Sequence, residues 1–239
     1  MIEVIPAIDV IGGKCVRLTK GDYSQKTEYG DPVEMAKRFQ DYGLRRLHLV
    51  DLDGARSGRV INYNIIEKIA AKTSLIIDVG GGIKTDEDLH IVFESGAVMV
   101  TGGSIAVKHP DIFEQWLKTY GNEKIILGSD FKDGRIAVSG WEEETSEELI
   151  TFLKKWTVRG VSKTICTDVQ KDGLLEGTSE EVYKEIRKAF PELYLVASGG
   201  VSSIDDIVSL ESAGIPAVII GKSIYEGNIS LKDLEQFIV

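Results

Sequence analysis

The sequence predicts a single closed (β/α)8 barrel, a TIM barrel of the α/β class, spanning residues 1–239. Three observations carry this. Short β-rich runs alternate about eight times with segments of helical period; the runs are almost continuously apolar, as strands buried on both faces must be; and the second half of the chain repeats the first at a constant spacing. A chain of 239 residues that is 43% hydrophobic can bury a full core, and no linker, low-complexity stretch or charge block divides it into two small domains.

In chain order, IEVIPAID is the first strand. KCVRLTKGDYSQKTEYG follows it, too long for a tight strand-to-helix turn, and is expected to form a short hairpin plus a mobile loop over the barrel mouth. Asp31-Pro32 then opens a helix with a cap and a first-turn proline; its apolar side is expected to carry Met35, Phe39 and Tyr42 before Gly43 stops it. RLHLVD, SLIIDVG, AVMVTG, KIILGSD, KTICTD, LYLVAS and AVIIG supply the remaining strands. Between them, Thr85 with Asp88, Thr145 with Glu148, Thr178 with Glu181, Ser203 with Asp206 and Ser230 with Asp233 have the spacing of capping boxes, and Pro110 starts the helix containing Trp116.

Gly81, Gly82, Ile83, Thr85, Asp88, Gly96 and Gly103 recur 118 positions later as Gly199, Gly200, Val201, Ser203, Asp206, Gly214 and Gly221. The repeat divides the barrel into half-barrels of approximately 1–121 and 122–239. A glycine pair alone reads as a tight strand-to-helix turn. Here Gly81 and Gly82 with Gly103 and Ser104, and Gly199 and Gly200 with Gly221 and Lys222, sit at the carboxyl ends of adjacent strands, where barrel enzymes bind ligands. Glycines at that place let backbone N–H groups approach phosphate oxygens. Each half therefore offers one phosphate cradle; Gly177 is assigned to phosphate binding with them, and Lys222 adds a charge or is a solvated lysine. Two cradles on opposite sides of one mouth call for a long small-molecule ligand with a phosphate at each end.

Asp9 and Asp130 recur at a spacing of 121 and end the first and fifth strands, which stand opposite each other. As strand-end aspartates they could simply bond a loop. As a symmetric pair midway between two phosphates they can divide general acid and base work, and proton transfer at a sugar carbon suits them. His48, His90 and His109 read as structural, no convincing metal-ligand set exists, and no cofactor is expected.

The net charge of −10 and pI near 4.9 disfavour nucleic-acid or membrane surfaces as partners. Cys15 and Cys166 lack paired spacing, and the N-terminal MIEVIPAIDV has no basic region before its short apolar stretch. The expectation is a soluble, untargeted, cytoplasmic monomer without an obligate protein partner.

Taken as an ordered set, IPAIDV, GKCVRLTKGDY, HLVDLDGA, VGGGIKT, GSIAVK, SGW, CTDVQKDG and ASGGV resemble the histidine-biosynthesis barrel family, and within it the isomerases acting on ProFAR, phosphoribosylformimino-5-aminoimidazole carboxamide ribotide. The resemblance runs from residue 3 to about 227. It implies an Amadori rearrangement of a bisphosphate aminoaldose to an aminoketose, with Asp130 as the acid that opens the furanose and Asp9 as the base at the second sugar carbon; the residues alone leave that assignment open. It further implies that Thr167 and Asp172 surround the reacting sugar, that Trp141 stacks on or shields it, that Arg17 lies by the loop over the mouth, and that Asp51 shapes the pocket. Leu174, where many relatives carry threonine, and Gly102, where an apolar residue is usual, depart from the pattern. Rival readings are the cyclase subunit of imidazole glycerol phosphate synthase, whose first strand usually reads PCLDV, a bifunctional isomerase that also accepts phosphoribosylanthranilate, and a noncatalytic bisphosphate-binding barrel.

Overall fold

The computed structural model describes residues 1–19, 21–138, 140–141 and 143–238. In chain order it runs β1 (Glu3–Ile11), β2 (Lys14–Thr19), β3 (Asp22–Gly30), α1 (Pro32–Asp41), β4 (Arg46–Asp51), α2 (Leu52–Ser57), α3 (Tyr63–Lys72), β5 (Ile76–Gly80), α4 (Asp86–Glu94), β6 (Met99–Gly102), α5 (Ser104–Lys108), α6 (Pro110–Tyr120) and β7 (Ile125–Gly128). The second half continues with β8 (Phe131–Lys132), β9 (Arg135–Val138), β10 (Glu143–Glu148), α7 (Leu149–Thr157), β11 (Lys163–Thr167), α8 (Glu180–Ala189), β12 (Tyr194–Ser198), α9 (Ile204–Ser212), β13 (Ala217–Ile220), α10 (Lys222–Tyr225) and a 3-10 turn, Asp233–Phe237.

The strands β1, β4, β5, β6, β7, β11, β12 and β13 pair in parallel in that order, and β13 returns to β1 with Glu3 opposite Ala217 and Pro6 opposite Ile220. This closes the cylinder, so all eight strands expected from the sequence are barrel staves. Side chains alternate along each stave. One set, including Ile5, Ala7, Met99, Ile126, Ile165, Val196, Ala217 and Ile219, fills the inside, and the other packs outward against the helices in the larger core around Phe39, Phe113, Trp116 and Trp156. Hydrophobic burial on both faces explains why most of the strands read as nearly continuous apolar runs.

The helix signals hold where the cap side chain has no competing partner. Asp31 accepts the N–H groups of Val33 and Glu34 at 2.8 and 3.1 Å, with Pro32 in the first turn. Thr85 with Asp88 and Ser203 with Asp206 form capping boxes. The other expected boxes differ. Thr145 lies within β10 and accepts from Glu147, so α7 starts at Leu149 with no side-chain cap bond. Ser179, not Thr178, occupies the cap position of α8, and its hydroxyl bonds Asp168 instead of the helix. Ser230 and Asp233 do exchange bonds, but they open only the final 3-10 turn. On α1 the buried face is Val33, Ala36 and Phe39, whereas Tyr42 is exposed, because the helix ends one residue before it.

The segment after β1 also differs from expectation. β2 pairs antiparallel with β1, and β3 with β2, so residues 22–30 are strand and not open loop. An equivalent excursion after β7, the antiparallel sheet β8–β9–β10, was not foreseen. Its alternation is weak, since EETSEE is polar throughout and carries no apolar face.

Candidate active site

The parallel register brings the carboxyl ends of all eight staves to one rim, and the two hairpins rise from opposite sides of it. Asp9, on β1, is paired with Arg17 of β2, whose Nη1 lies 2.9 Å from its Oδ2. Asp130 follows β7 and accepts the indole N–H of Trp141 at 2.8 Å. Trp141 takes a left-handed backbone, φ 72°, which a bulky residue adopts only where its surroundings hold it. Its ring lies against Gly21, at the turn of the other hairpin: a Cβ built there would stand 2.8 Å from the ring. The hairpin tips thus meet over the rim. Ser139 of the SGW motif and Lys20 lie outside the described residues.

Burial is the largest influence on the carboxylates. It raises Asp9, against the lowering effect of Arg17 and His48. It also raises Asp130, against the hydrogen bonds of Trp141 and Thr167 and the charge of His48. Asp172 is pushed up to about 6 by burial, with Arg17 and Lys222 lowering it and both Asp9 and Asp130 raising it. For Arg17, burial opposes the charge, but Asp9 and Asp172 outweigh it and the guanidinium stays ionised. Asp9, Asp130 and Asp172 thus lie close enough for their charges to act on one another, with Arg17 beside Asp9 and Thr167 bonded to Asp130.

Beside this centre is a cleft of about 320 Å³ lined by Arg17, Asp172, Gly199, Gly200, Gly221 and Lys222, the second cradle read from the sequence. Gly221 has no side chain because the Arg17 guanidinium fills the space; a Cβ would lie 2.6 Å from its carbon. Lys222 reaches across to the carbonyl of Gly173 at 2.7 Å. The Gly177 N–H donates to Gly200 O at 3.0 Å, which ties the loop below the cleft to its glycine turn. On the other side, Gly81 and Gly82 adjoin the turn where Gly103 caps the short α5 starting at Ser104.

The glycine turns are also packing devices. A Cβ on Gly81 would meet Asp51 O at 2.3 Å, and one on Gly199 would meet Asp168 O at 2.8 Å, at the same relative place in each half. Both residues have φ 93°, a conformation that favours glycine. Asp51 itself is fully buried: its carboxylate accepts from the backbone N–H groups of Gly54 (2.9 Å), Ile61 (2.7 Å) and Asn62 (2.9 Å) and from Asn62 Nδ2 (2.7 Å). It shapes the loop that backs the first cradle. Gly102 departs from the usual apolar residue because Phe113 and Ile105 occupy the space, at 2.7 and 2.9 Å from a built Cβ.

Sequence reasoning gave His48 a structural place and passed over Asp78 and Arg46. All three point into the barrel. His48 Nδ1 is 2.5 Å from Asp78 Oδ1, and Arg46 lies between Asp78 (3.6 Å) and Glu3 (3.1 Å). The signal available was the charged alternation in RLHLVD and in LIIDVG, which apolar strand cores rarely carry.

The chain resembles curated proteins along its whole length. It is 63% identical over 238 residues, 99% of this chain and 100% of the relative, to the 1-(5-phosphoribosyl)-5-((5-phosphoribosylamino)methylideneamino)imidazole-4-carboxamide isomerase of Parabacteroides distasonis. It is 58% identical over 238 residues to the isomerase of that name from Phocaeicola vulgatus, covering 99% of this chain and 100% of the relative. The Bacteroides thetaiotaomicron isomerase is 59% identical over 239 residues, with 100% of both chains covered. No helix among the described residues is long and apolar enough to cross a membrane. A family model described as histidine biosynthesis protein matches residues 3–230, a span that holds every barrel stave, both aspartates and both glycine cradles, and the chain belongs to that family.

Proposed function

We propose that this chain is the aldose–ketose isomerase of histidine biosynthesis that converts the aminoaldose ProFAR to its aminoketose, with Asp130 as general acid and Asp9 as general base. The relatives' printed names support the substrate and reaction. One observation carries the mechanism: Asp172, which lines the cleft with Gly199, Gly200 and Gly221, is coupled in charge to both Asp9 and Asp130, so a ligand with a phosphate in that cleft would extend its sugar toward both carboxylates.

The division of labour follows from their partners. Asp9 touches a full cation, Arg17, which favours the ionised form that a base needs. Asp130 is held by the neutral donors Trp141 and Thr167, a weaker pull against the burial that favours its protonated form. Asp130 gives its proton to the furanose oxygen as the bond to the first sugar carbon breaks, leaving a protonated Schiff base. Asp9 removes the proton of the second carbon and an enaminol forms. Asp9 then returns that proton to the first carbon while Asp130 recovers one from the hydroxyl on the second. The ketone is complete and both carboxyls are reset. Trp141 and the meeting hairpins exclude water from the Schiff base, which would otherwise hydrolyse.

All of these groups come from one chain, so the proposed chemistry calls for no residue from a partner, in keeping with a monomer. The reading is tested by following conversion of the bisphosphate by absorbance with purified protein and no added metal. Asp9→Asn and Asp130→Asn are each expected to lower kcat by at least about a hundredfold. Unchanged turnover in both would remove the mechanism. Turnover of phosphoribosylanthranilate in the same preparation would widen the substrate class to the bifunctional reading.

A further inference from the structure

The inside of the barrel is apolar on one side and charged on the other. Ile5, Ala7, Met99, Ile126, Ile165, Val196, Ala217 and Ile219 form the apolar sector. Against them, a column of alternating charge climbs β4 and β5. At the bottom Glu3 accepts from Arg46 Nη1 at 3.1 Å and from the hydroxyl of Tyr194, whose ring also lies 5.9 Å below the guanidinium. Arg46 Nη2 stands 3.6 Å from Asp78 Oδ2, and Asp78 Oδ1 takes His48 Nδ1 at 2.5 Å and the Thr101 hydroxyl at 3.3 Å. His48 is level with Ala7 on β1, one inward-facing position below Asp9.

Such a column is costly to keep for stability alone. Buried ion pairs seldom outperform an apolar filling of the same volume. Arg46 Nε and Nη2 and Asp78 Oδ2 are buried without a hydrogen bond, and the neighbouring sector shows what an apolar filling of this barrel looks like. From its bottom the column reads anion, cation, anion, and then His48, whose uppermost position places an ionisable ring under the mouth.

We infer that Asp78, backed by Arg46, is a positioning residue that acts through His48 on the two aspartates of the mouth. Asp78 is fully buried, and His48, one inward-facing position below Asp9, stands between it and the mouth. Nδ1 bonded to Asp78 fixes the ring's tautomer and tilt and leaves Nε2 as its other donor. Burial works against the imidazolium, but Asp78, then Asp9 and Asp130, outweigh it and raise the His48 pKa. In return its charge lowers both Asp9 and Asp130. The other groups facing these carboxylates are Arg17 from β2, Asp172 and, through it, Lys222, together with Cys15, Cys166, Tyr23 and Tyr225. His48 is the cation that the two aspartates share. It sets their common proton affinity, while Arg17 separates one from the other.

This inference rests on the acid–base reading above, and one set of pH profiles tests the two separately. With the pair at work, the acidic limb of kcat/KM follows ionisation of Asp9 and the basic limb deprotonation of Asp130. Removing the shared cation raises both. Asp78→Asn and His48→Asn are expected to move both limbs to higher pH by about half a unit to one and a half units, and the double variant to move them no further than His48→Asn alone. Limbs that stay in place while the height falls, or shifts that add in the double variant, overturn the inference. Loss of turnover in Asp9→Asn and Asp130→Asn beside unmoved limbs in the column variants sinks it alone; retained turnover in the aspartate variants sinks the mechanism. A readout on the unaltered protein covers variants that do not fold. The chain has 3 histidines, and in its nitrogen-15 spectrum the ring whose signal His48→Asn removes is expected to titrate above the ordinary histidine value; a His48 ring that titrates at or below that value overturns the proposal.

Discussion

Asp172 shows how a single side chain reports on the whole mouth. Its folded pKa of about 6 lies above the ordinary 3.8, so the folded state binds more protons than the unfolded chain between those values. Its contribution to stability is therefore most favourable below pH 4 and is lost as pH rises through 6. Asp172→Asn is expected to stabilise the protein by about 1–3 kcal/mol at pH 7.5, seen as a rise in Tm of roughly 2–8 °C, and to give no gain at pH 4. Equal shifts at the two pH values would mean that the effect is not electrostatic. The gain in stability is expected to accompany a loss of activity, since the same carboxylate lines the cleft between Arg17 and Lys222. Trp141 is the second informative residue. Its indole N–H lowers the Asp130 pKa, so Trp141→Ala is expected to move the basic limb of kcat/KM upward and leave the acidic limb in place.

At the scale of elements, the loops that carry the cradles are held by carboxylates that cap the next helix. Asp88 accepts from the backbone of Val60, Lys84 and Thr85 and from the Thr85 hydroxyl. Asp206 accepts from the backbone of Ser202 and Ser203 and from the Ser202 hydroxyl. Each joins a helix start to a glycine turn, and the first also holds the loop before α3. Replacing either by alanine leaves several donors without partners and is expected to cost about 2–4 kcal/mol, with Asp88→Ala the more damaging. Thermal unfolding of the two variants side by side measures the order; a larger loss from Asp206→Ala would contradict it. The failed boxes make the complementary point, for Ser179 bonds Asp168 across the loop, and a local signal yielded to a tertiary partner.

For the molecule as a whole, the proposed pair of cradles around one acid–base centre would let binding energy from both ends position the sugar. A substrate lacking either terminal phosphate is expected to lose at least about a hundredfold in kcat/KM, part of it in kcat, because remote binding energy supports the reacting geometry. Steady-state kinetics with each dephosphorylated substrate decides this; equal kcat/KM for the bisphosphate and one monophosphate would mean that only one flank binds. The bisphosphate product is likewise expected to raise Tm by mass action, while an uncharged sugar does not.

Much of this was legible in the chain. The apolar runs, Asp31 with Pro32, the glycine turns and the recurrence of Asp9 as Asp130 specify a closed barrel with a symmetric pair at its rim, because strand burial, helix capping and positive φ act over a few residues. What the sequence by itself did not decide depends on distance in space. Only the closed sheet sets Arg17 against both Asp9 and Gly221, rests Trp141 on Gly21, turns Asp51 from a pocket carboxylate into a loop anchor, and stacks Glu3, Arg46, Asp78 and His48 into one column. Those meetings join residues far apart in the chain. Their energies, ion pairing and desolvation in a dry interior, exist only once the barrel has excluded water.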